Sequence, residues 1–131
     1  MQSILLIEDS RFLRIASERA LVKAGYKVVS TDDGARALQL ARESRPDLIL
    51  LDMLLPRLGG PEILRALKSE PLTAQIPVIV LSSLPQSNEA RLKKDGAEAY
   101  FEKSRLGLDT GSQFLIQVVA KALTLHHTSA S

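Results

Sequence analysis

The chain has 131 residues, of which 45% are hydrophobic and 24% charged, a composition typical of one soluble globular domain. The absence of cysteine excludes disulfides and thiol catalysis, and no apolar run approaches the ~18 residues of a membrane span. The basic residues behind the net charge of +2 are scattered, so they do not indicate direct nucleic-acid binding, and we expect a cytoplasmic protein.

Apolar runs alternate with amphipathic segments five times, which is typical of βαβ units and a parallel sheet. The first half of the chain predicts a strand over about 3–7, a helix over about 10–24 closed by Gly25, a strand over about 27–31, a helix from Asp32 or Asp33 to just before Pro46, and a strand over about 47–52. That third strand is the most apolar, so we expect it in the centre of the sheet.

The second half repeats the alternation. It predicts a helix from Pro61 to about Ser69, a strand over about 78–82, a helix over about 87–94, a strand over about 98–102 and a last helix over about 113–125. We therefore predict one domain over residues 1–125 and a disordered tail over 126–131.

Polar residues follow the apolar strands at the points where those strands end. Glu8 and Asp9 follow "SILLI", Asp52 ends "LILLD", Ser82 ends "VIVLS", and Lys103 follows "AYFE". Ligands of parallel sheets gather beyond the carboxyl ends of the strands, so we expect these side chains to converge at one edge. Such a set suits a divalent cation held beside a carboxylate that accepts a phosphoryl group.

Each residue also has a simpler interpretation. Asp52 alone could cap a loop, Asp9 could cap the first helix, and a strand-end serine or lysine is commonly a turn cap or a solvated charge. The adjacent acids Glu8 and Asp9 favour the cation, because it relieves the repulsion among three carboxylates. Oxygen-only ligands with open positions favour Mg²⁺.

With Pro56 and Gly60 spaced after Asp52 in "DMLLPRLGG", the chain resembles the receiver domain of bacterial two-component response regulators, the CheY-like family, over residues 2–125. The resemblance implies an α/β, flavodoxin-like, doubly wound (βα)5 fold. It implies a five-stranded parallel sheet in the order 2-1-3-4-5.

The resemblance also implies a role for each site residue. Asp52 would be the phosphoacceptor. Mg²⁺ would bind Glu8, Asp9, Asp52 and the backbone carbonyl of Leu54, while Ser82 and Lys103 would contact the phosphoryl group. Ser82 and Tyr100 would switch upon phosphorylation, changing the surface formed by the family's fourth helix, fifth strand and fifth helix.

On this interpretation the chain is a stand-alone phosphoprotein of phosphorelay signalling. A sensor histidine kinase or histidine phosphotransfer protein would supply the phosphoryl group. The chain would promote its own phosphorylation and dephosphorylation rather than turn over an external substrate. It would then bind an unidentified downstream protein or relay the phosphoryl group, and a homodimer is compatible with the resemblance.

One departure keeps an alternative open. The family usually has proline after the lysine that follows the fifth strand, in a cis bond, whereas Ser104 follows Lys103 here, and a cis bond is costlier without proline. The alternative is a degenerate receiver that binds proteins independently of phosphorylation. An aspartate-dependent phosphatase is disfavoured, because it requires a general acid at position 54, which is leucine.

Overall fold

The computed structural model describes residues 2–52, 59–82, 94, 96–102 and 111–130. The strands are β1 (Ser3–Ile7), β2 (Lys27–Thr31), β3 (Leu48–Asp52), β4 (Val78–Ser82) and β5 (Ala99–Glu102). The helices are α1 (Arg11–Lys23), α2 (Gly34–Ser44), α3 (Gly60–Ser69) and a C-terminal helix (Gly111–Ala130). The helix predicted over 87–94 lies outside the described residues except for Lys94.

The five strands form one parallel sheet in the order β2-β1-β3-β4-β5, which confirms the predicted fold class and strand order. β1 and β3 lie in the centre, with Ile7 paired to Leu51, and β4 follows with Leu81 paired to Asp52. Because side chains alternate between the two faces of a strand, these buried strands supply apolar groups to both sides of the sheet.

Two hydrophobic clusters cover the two faces of the sheet. One face packs against α2 and α3, using strand residues such as Leu5 and Ile49. The opposite face packs against α1 and the C-terminal helix, using strand residues such as Leu6 and Leu50. β3 is buried along its whole length, so removal of its side chains would weaken both clusters.

The ends of the first two helices follow from their capping residues. Ser10 caps α1, where its hydroxyl accepts a hydrogen bond from the backbone N–H of Leu13, so the interpretation of Asp9 as that cap is wrong. Asp33, not Asp32, caps α2. Gly25 follows α1 with a φ of 103°, the left-handed conformation that glycine adopts most easily after a helix.

The C-terminal helix differs from the prediction. It runs from Gly111 to Ala130, whereas the sequence predicted a helix over about 113–125. No glycine or proline occurs between Gly111 and Ser131, so the sequence contains none of the residues that usually stop a helix. None of the helices in the described part of the chain has the length and apolar character needed to cross a membrane.

Lys68, near the end of α3, contacts the segment that precedes β4 and the segment that precedes β5. The Lys68 ammonium donates hydrogen bonds to the carbonyls of Ala74 (3.2 Å) and Ile76 (2.7 Å). Its stem lies against Gly96, which has a φ of 111°, and a Cβ atom there would come within 2.7 Å of Lys68 Cγ. Desolvation by partial burial lowers the pKa of Lys68.

Two further contacts fix the chain around α3. The fully buried Thr73 donates its hydroxyl hydrogen to the carbonyl of Leu67 at 2.6 Å. Arg42 on α2 makes a bidentate ion pair with Glu70, with both N···O distances 2.7 Å. These contacts fix the connection from α3 to β4, the strand that ends at the predicted site.

Candidate functional site

Asp52 is the last residue of β3, and its side chain is only 2% exposed. The strand is flanked by β1 on one side and β4 on the other, so the ends of three strands surround this carboxylate. A carboxylate buried among apolar strands is costly unless it has compensating contacts or a function. The placement agrees with the predicted position of Asp52 at the carboxyl edge of a central strand.

Glu8 follows β1 directly and is 3% exposed. Its backbone N–H donates to the carbonyl of Thr31 (3.0 Å), at the end of the neighbouring β2. Its carboxylate accepts a hydrogen bond from the backbone N–H of Ser10 (3.0 Å). Its carbonyl accepts one from the guanidinium of Arg14 (3.0 Å). The first residue of the acidic pair is thus held by contacts to β2 and α1.

Asp9 lies beside Asp52 and has an exposed side chain. Its backbone N–H points to Oδ2 of Asp52 at 3.5 Å, at the long end of the hydrogen-bond range. This contact joins positions 43 residues apart in the sequence. It brings two of the predicted site residues together, as expected from the carboxyl ends of adjacent parallel strands.

The remaining predicted residues are described only in part. Ser82 ends β4, where it pairs with Glu102, and the pairing of its predecessor Leu81 with Asp52 brings the backbone of Ser82 to the same edge. Tyr100 lies in β5, paired with Val80. The side chains of Ser82 and Tyr100, and all of Leu54, Lys103 and Ser104, lie outside the described residues.

Arg14 is a residue near the site that the sequence analysis missed. A possible signal was its position in the N-terminal part of α1, where the helix dipole disfavours a cation and where no acidic residue occurs in the first turn. A cation at such a position needs a local acceptor. The structure provides one in the carbonyl of Glu8.

The donor set fits a cation that takes few protein ligands. Among residues 2–52, 59–82, 94, 96–102 and 111–130, no three histidine, cysteine, aspartate or glutamate side chains form a group that could hold a metal ion. Mg²⁺ commonly binds one or two carboxylates and keeps several waters, which is a smaller requirement. The backbone N–H of Asp9 lies 3.5 Å from Oδ2 of Asp52, so two carboxylate-bearing residues are neighbours here. One oxygen of the Glu8 carboxylate, Oε2, accepts the hydrogen bond from the N–H of Ser10.

Residues 4–106 match the sequence profile of the family described as "response regulator receiver domain". The chain belongs to this family. Its buried strand-end aspartate and adjacent acidic pair therefore occur in a receiver domain of two-component signalling. Receiver domains are signalling proteins that generally bind Mg²⁺ and interact with histidine kinases or phosphotransfer proteins.

Similar proteins include whole response regulators and a part of a larger one. The chain is 39% identical over 104 residues to the polar-differentiation response regulator DivK of Brucella anthropi. That alignment covers 78% of this chain and 84% of DivK. The chain is also 44% identical over 112 residues to the gliding motility regulatory protein of Myxococcus xanthus. That alignment covers 84% of this chain but only 14% of the Myxococcus protein.

A solved structure extends the similarity to a metal-bound relative. The Mn²⁺-bound form of the response regulator Rcp1 aligns with a TM-score of 0.82 and 27% sequence identity. The alignment covers 94% of this chain and 95% of Rcp1. The fold of this receiver domain is therefore also found in a relative that binds a divalent cation.

Proposed function

We propose that this receiver domain accepts a phosphoryl group on Asp52 in a Mg²⁺-dependent reaction. The observation that carries the proposal is the burial of Asp52 at the end of the central strand, within 3.5 Å of the backbone N–H of Asp9. A carboxylate in this position is shielded from bulk water yet lies at the edge where parallel sheets bind ligands. Family membership supports the same role.

The reaction is a transfer from phosphohistidine or from a small acyl phosphate. One Asp52 carboxylate oxygen attacks phosphorus in line, a P–O bond forms, and the P–N or P–O bond to the donor breaks. The donor leaves with the bonding electron pair: acetyl phosphate releases acetate, and a phosphohistidine protonated on its other ring nitrogen releases neutral imidazole. Most of the catalysis is positioning and electrostatic stabilisation. The chain would thereby promote its own phosphorylation and dephosphorylation rather than turn over an external substrate.

Asp9 and Asp52 would hold Mg²⁺, with Glu8 and the carbonyl of Leu54 as the further predicted ligands. When bound, Mg²⁺ supplies positive charge that offsets the charge on the phosphoryl oxygens. Lys103 and Ser82 would contact those oxygens, as the family resemblance implies. The N–H of Asp9 is a donor that already points at the acceptor carboxylate.

An exposed apolar face on α1 supports a protein as the phosphoryl donor. Phe12, Ile15 and Val22 are 67%, 38% and 54% exposed, respectively, and their spacing places them on one side of the helix. The face begins three residues after Asp9, close to the acceptor edge. A donor with an apolar helical surface, such as a histidine kinase or histidine phosphotransfer protein, could pack there while its histidine reaches Asp52.

The output would be a change in the surface near β5. We propose that Ser82 and Tyr100 move upon phosphorylation and alter the surface formed by the family's fourth helix, fifth strand and fifth helix. That surface would then bind a downstream protein, a second copy of the chain or a phosphotransfer partner that relays the phosphoryl group. We place this activity in the cytoplasm.

The test is the intact mass of the protein after incubation with Mg²⁺ and acetyl phosphate. We expect the wild type to gain one phosphoryl group, Asp52→Asn to gain none, and the matched control Asp32→Asn to behave as the wild type. Asp32 is exposed in the loop after β2, so its substitution removes a carboxylate elsewhere on the chain. Phosphorylation of Asp52→Asn would contradict the assignment.

If the folded wild type gains no phosphoryl group in excess Mg²⁺ without EDTA, it is next tested with beryllium fluoride. Beryllium fluoride mimics the phosphoryl group on an aspartate. Formation of a complex that needs both Asp52 and Mg²⁺ would retain the site assignment. Failure to form it would refute the proposal and favour the degenerate, phosphorylation-independent receiver.

A further inference from the structure

A single peptide group lies between Arg14 and Asp52. The carbonyl of Glu8 accepts a hydrogen bond from Nη1 of Arg14 at 3.0 Å. The N–H of Asp9, which belongs to the same peptide group, points to Oδ2 of Asp52 at 3.5 Å. In a trans peptide the C=O and N–H bonds point in opposite directions, so the guanidinium and the carboxylate lie on opposite sides of one planar unit.

The flanking contacts hold this peptide in place. Before it, the N–H of Glu8 donates to the carbonyl of Thr31 at 3.0 Å, and after it the N–H of Ser10 donates to the Glu8 carboxylate at 3.0 Å. Arg14 is itself fixed in α1, where its backbone N–H donates to the carbonyl of Ser10 at 2.8 Å. The plane of the Glu8–Asp9 peptide is therefore determined by β2 on one side and α1 on the other.

The charge of Arg14 strengthens the donor on the far side of the peptide. Hydrogen bonds from an ionised donor are stronger than neutral ones, and a carbonyl that accepts such a bond makes the N–H of its peptide more acidic and a better donor. The effect is larger in a site with little water, and Asp52 is 2% exposed. A stronger Asp9 N–H is a better hydrogen-bond donor to the Asp52 carboxylate and to the negative charge of a phosphoryl group on it.

We propose that Arg14 is a positioning residue that orients and polarises the Glu8–Asp9 peptide toward Asp52. Arg14 acts through the peptide and does not touch the reacting atoms. The effect on phosphorylation rests on the proposed function, whereas the effect on the peptide does not. The two parts can therefore be tested separately.

The test compares Arg14→Met, Arg14→Lys and Arg19→Met. Arg19 is an exposed arginine on the same helix, so its substitution removes the same charge without affecting the Glu8 carbonyl. The first measurement is the amide proton chemical shift of Asp9 in the unphosphorylated, Mg²⁺-free protein. We expect an upfield shift in Arg14→Met, a smaller one in Arg14→Lys and none in Arg19→Met, because a weaker hydrogen bond shields the proton.

The second measurement is the rate of phosphorylation by acetyl phosphate at saturating Mg²⁺. We expect the phosphorylation rate of Arg14→Met to be lower than that of the wild type by about tenfold, the lower end of the effect of residues that orient a group of the site. The rate of Arg14→Lys should lie between the two. Far-UV circular dichroism checks that each variant is folded. If Arg14→Met is unfolded, the comparison of Arg14→Lys with the wild type decides the question by the same two readouts.

The results separate this inference from the proposed function. An unchanged Asp9 amide shift in folded Arg14 variants would overturn the inference, whatever the rate. An Asp9 shift in a protein whose wild type is not phosphorylated and forms no beryllium fluoride complex would support the effect of Arg14 on the peptide while refuting phosphoacceptor activity. Equal shifts in Arg14→Met and Arg19→Met would also overturn the inference, because they would show a general effect of charge on α1.

Discussion

Gly96 and Lys68 give a quantitative test of how the segment before β5 is fixed. Replacement of Gly96 by alanine introduces two costs. A side chain at a φ of 111° strains the backbone by about 1–3 kcal/mol. The new Cβ atom also meets Lys68 Cγ at 2.7 Å and Cδ at 3.3 Å, closer than carbon atoms pack.

Lys68 can relieve the clash only by moving its stem, and its ammonium is held by two carbonyls. A hydrogen bond contributes about 0.5–1.5 kcal/mol, so loss of one or both costs up to about 3 kcal/mol. We therefore expect Gly96→Ala to lower the free energy of unfolding by about 2–5 kcal/mol in the wild type. In Lys68→Ala, which lacks the clashing atoms, only the backbone strain of about 1–3 kcal/mol remains.

The assay is urea unfolding of the wild type, both single variants and the double variant, followed by far-UV circular dichroism. With a slope of about 1–3 kcal/mol/M, a loss of 3 kcal/mol lowers the urea midpoint by about 1 M or more. The four free energies form a double-mutant cycle with an expected coupling of about 1–2 kcal/mol. An equal cost of Gly96→Ala in both backgrounds would refute the steric argument, and no cost in either would refute the strain argument as well.

Two further predictions concern the segment around α3. Thr73→Val keeps the shape of a buried side chain but leaves the carbonyl of Leu67 without its hydroxyl donor. We expect the free energy of unfolding in urea to fall by about 1–3 kcal/mol in Thr73→Val and by less in Thr73→Ser. Equal stability of Thr73→Val and the wild type would contradict this. The hydrogen bonds from Arg42, together with its charge, lower the pKa of Glu70 from its ordinary value of 4.5. The ion pair therefore stabilises the fold fully at pH values above 4.5, and this stabilisation is lost as the pH falls through the lower pKa of the folded state. The wild type should therefore lose more thermal stability than Glu70→Gln between pH 6 and pH 3, by a small amount because the pair is exposed, and parallel pH profiles would refute the assignment.

Much of the fold could be predicted because its strands are short apolar runs with clear boundaries. β1, β2 and β4 have the predicted bounds, and β3 and β5 each begin one residue later than predicted. Parallel pairing follows from the alternation of strands with helices. The end of the C-terminal helix was missed because helix ends are read from stop residues, and none occurs there.

The candidate site was predictable to the extent that it depends on strand ends. The proximity of Asp9 and Asp52 follows from the adjacency of β1 and β3. The partners of Lys68 could not be predicted, because backbone carbonyls leave no trace in a residue pattern. The position of Arg14 near the start of α1 indicated the need for a local acceptor but not that the acceptor is the carbonyl of Glu8. The roles of Ser82 and the other phosphoryl-contacting residues stay predictions.

The strand order also sets the time at which the protein can fold during synthesis. β1 is the first strand to be synthesised, yet it lies between β2 and β3 in the finished sheet. Ile7 of β1 pairs with Leu51 of β3, which is 44 residues further along the chain. One edge of β1 therefore stays unpaired until β3 has been synthesised, and the sheet is complete only after β5 follows. Such non-local pairing slows folding relative to helical proteins, because the entropy of closing each crossover must be overcome before the strands pair.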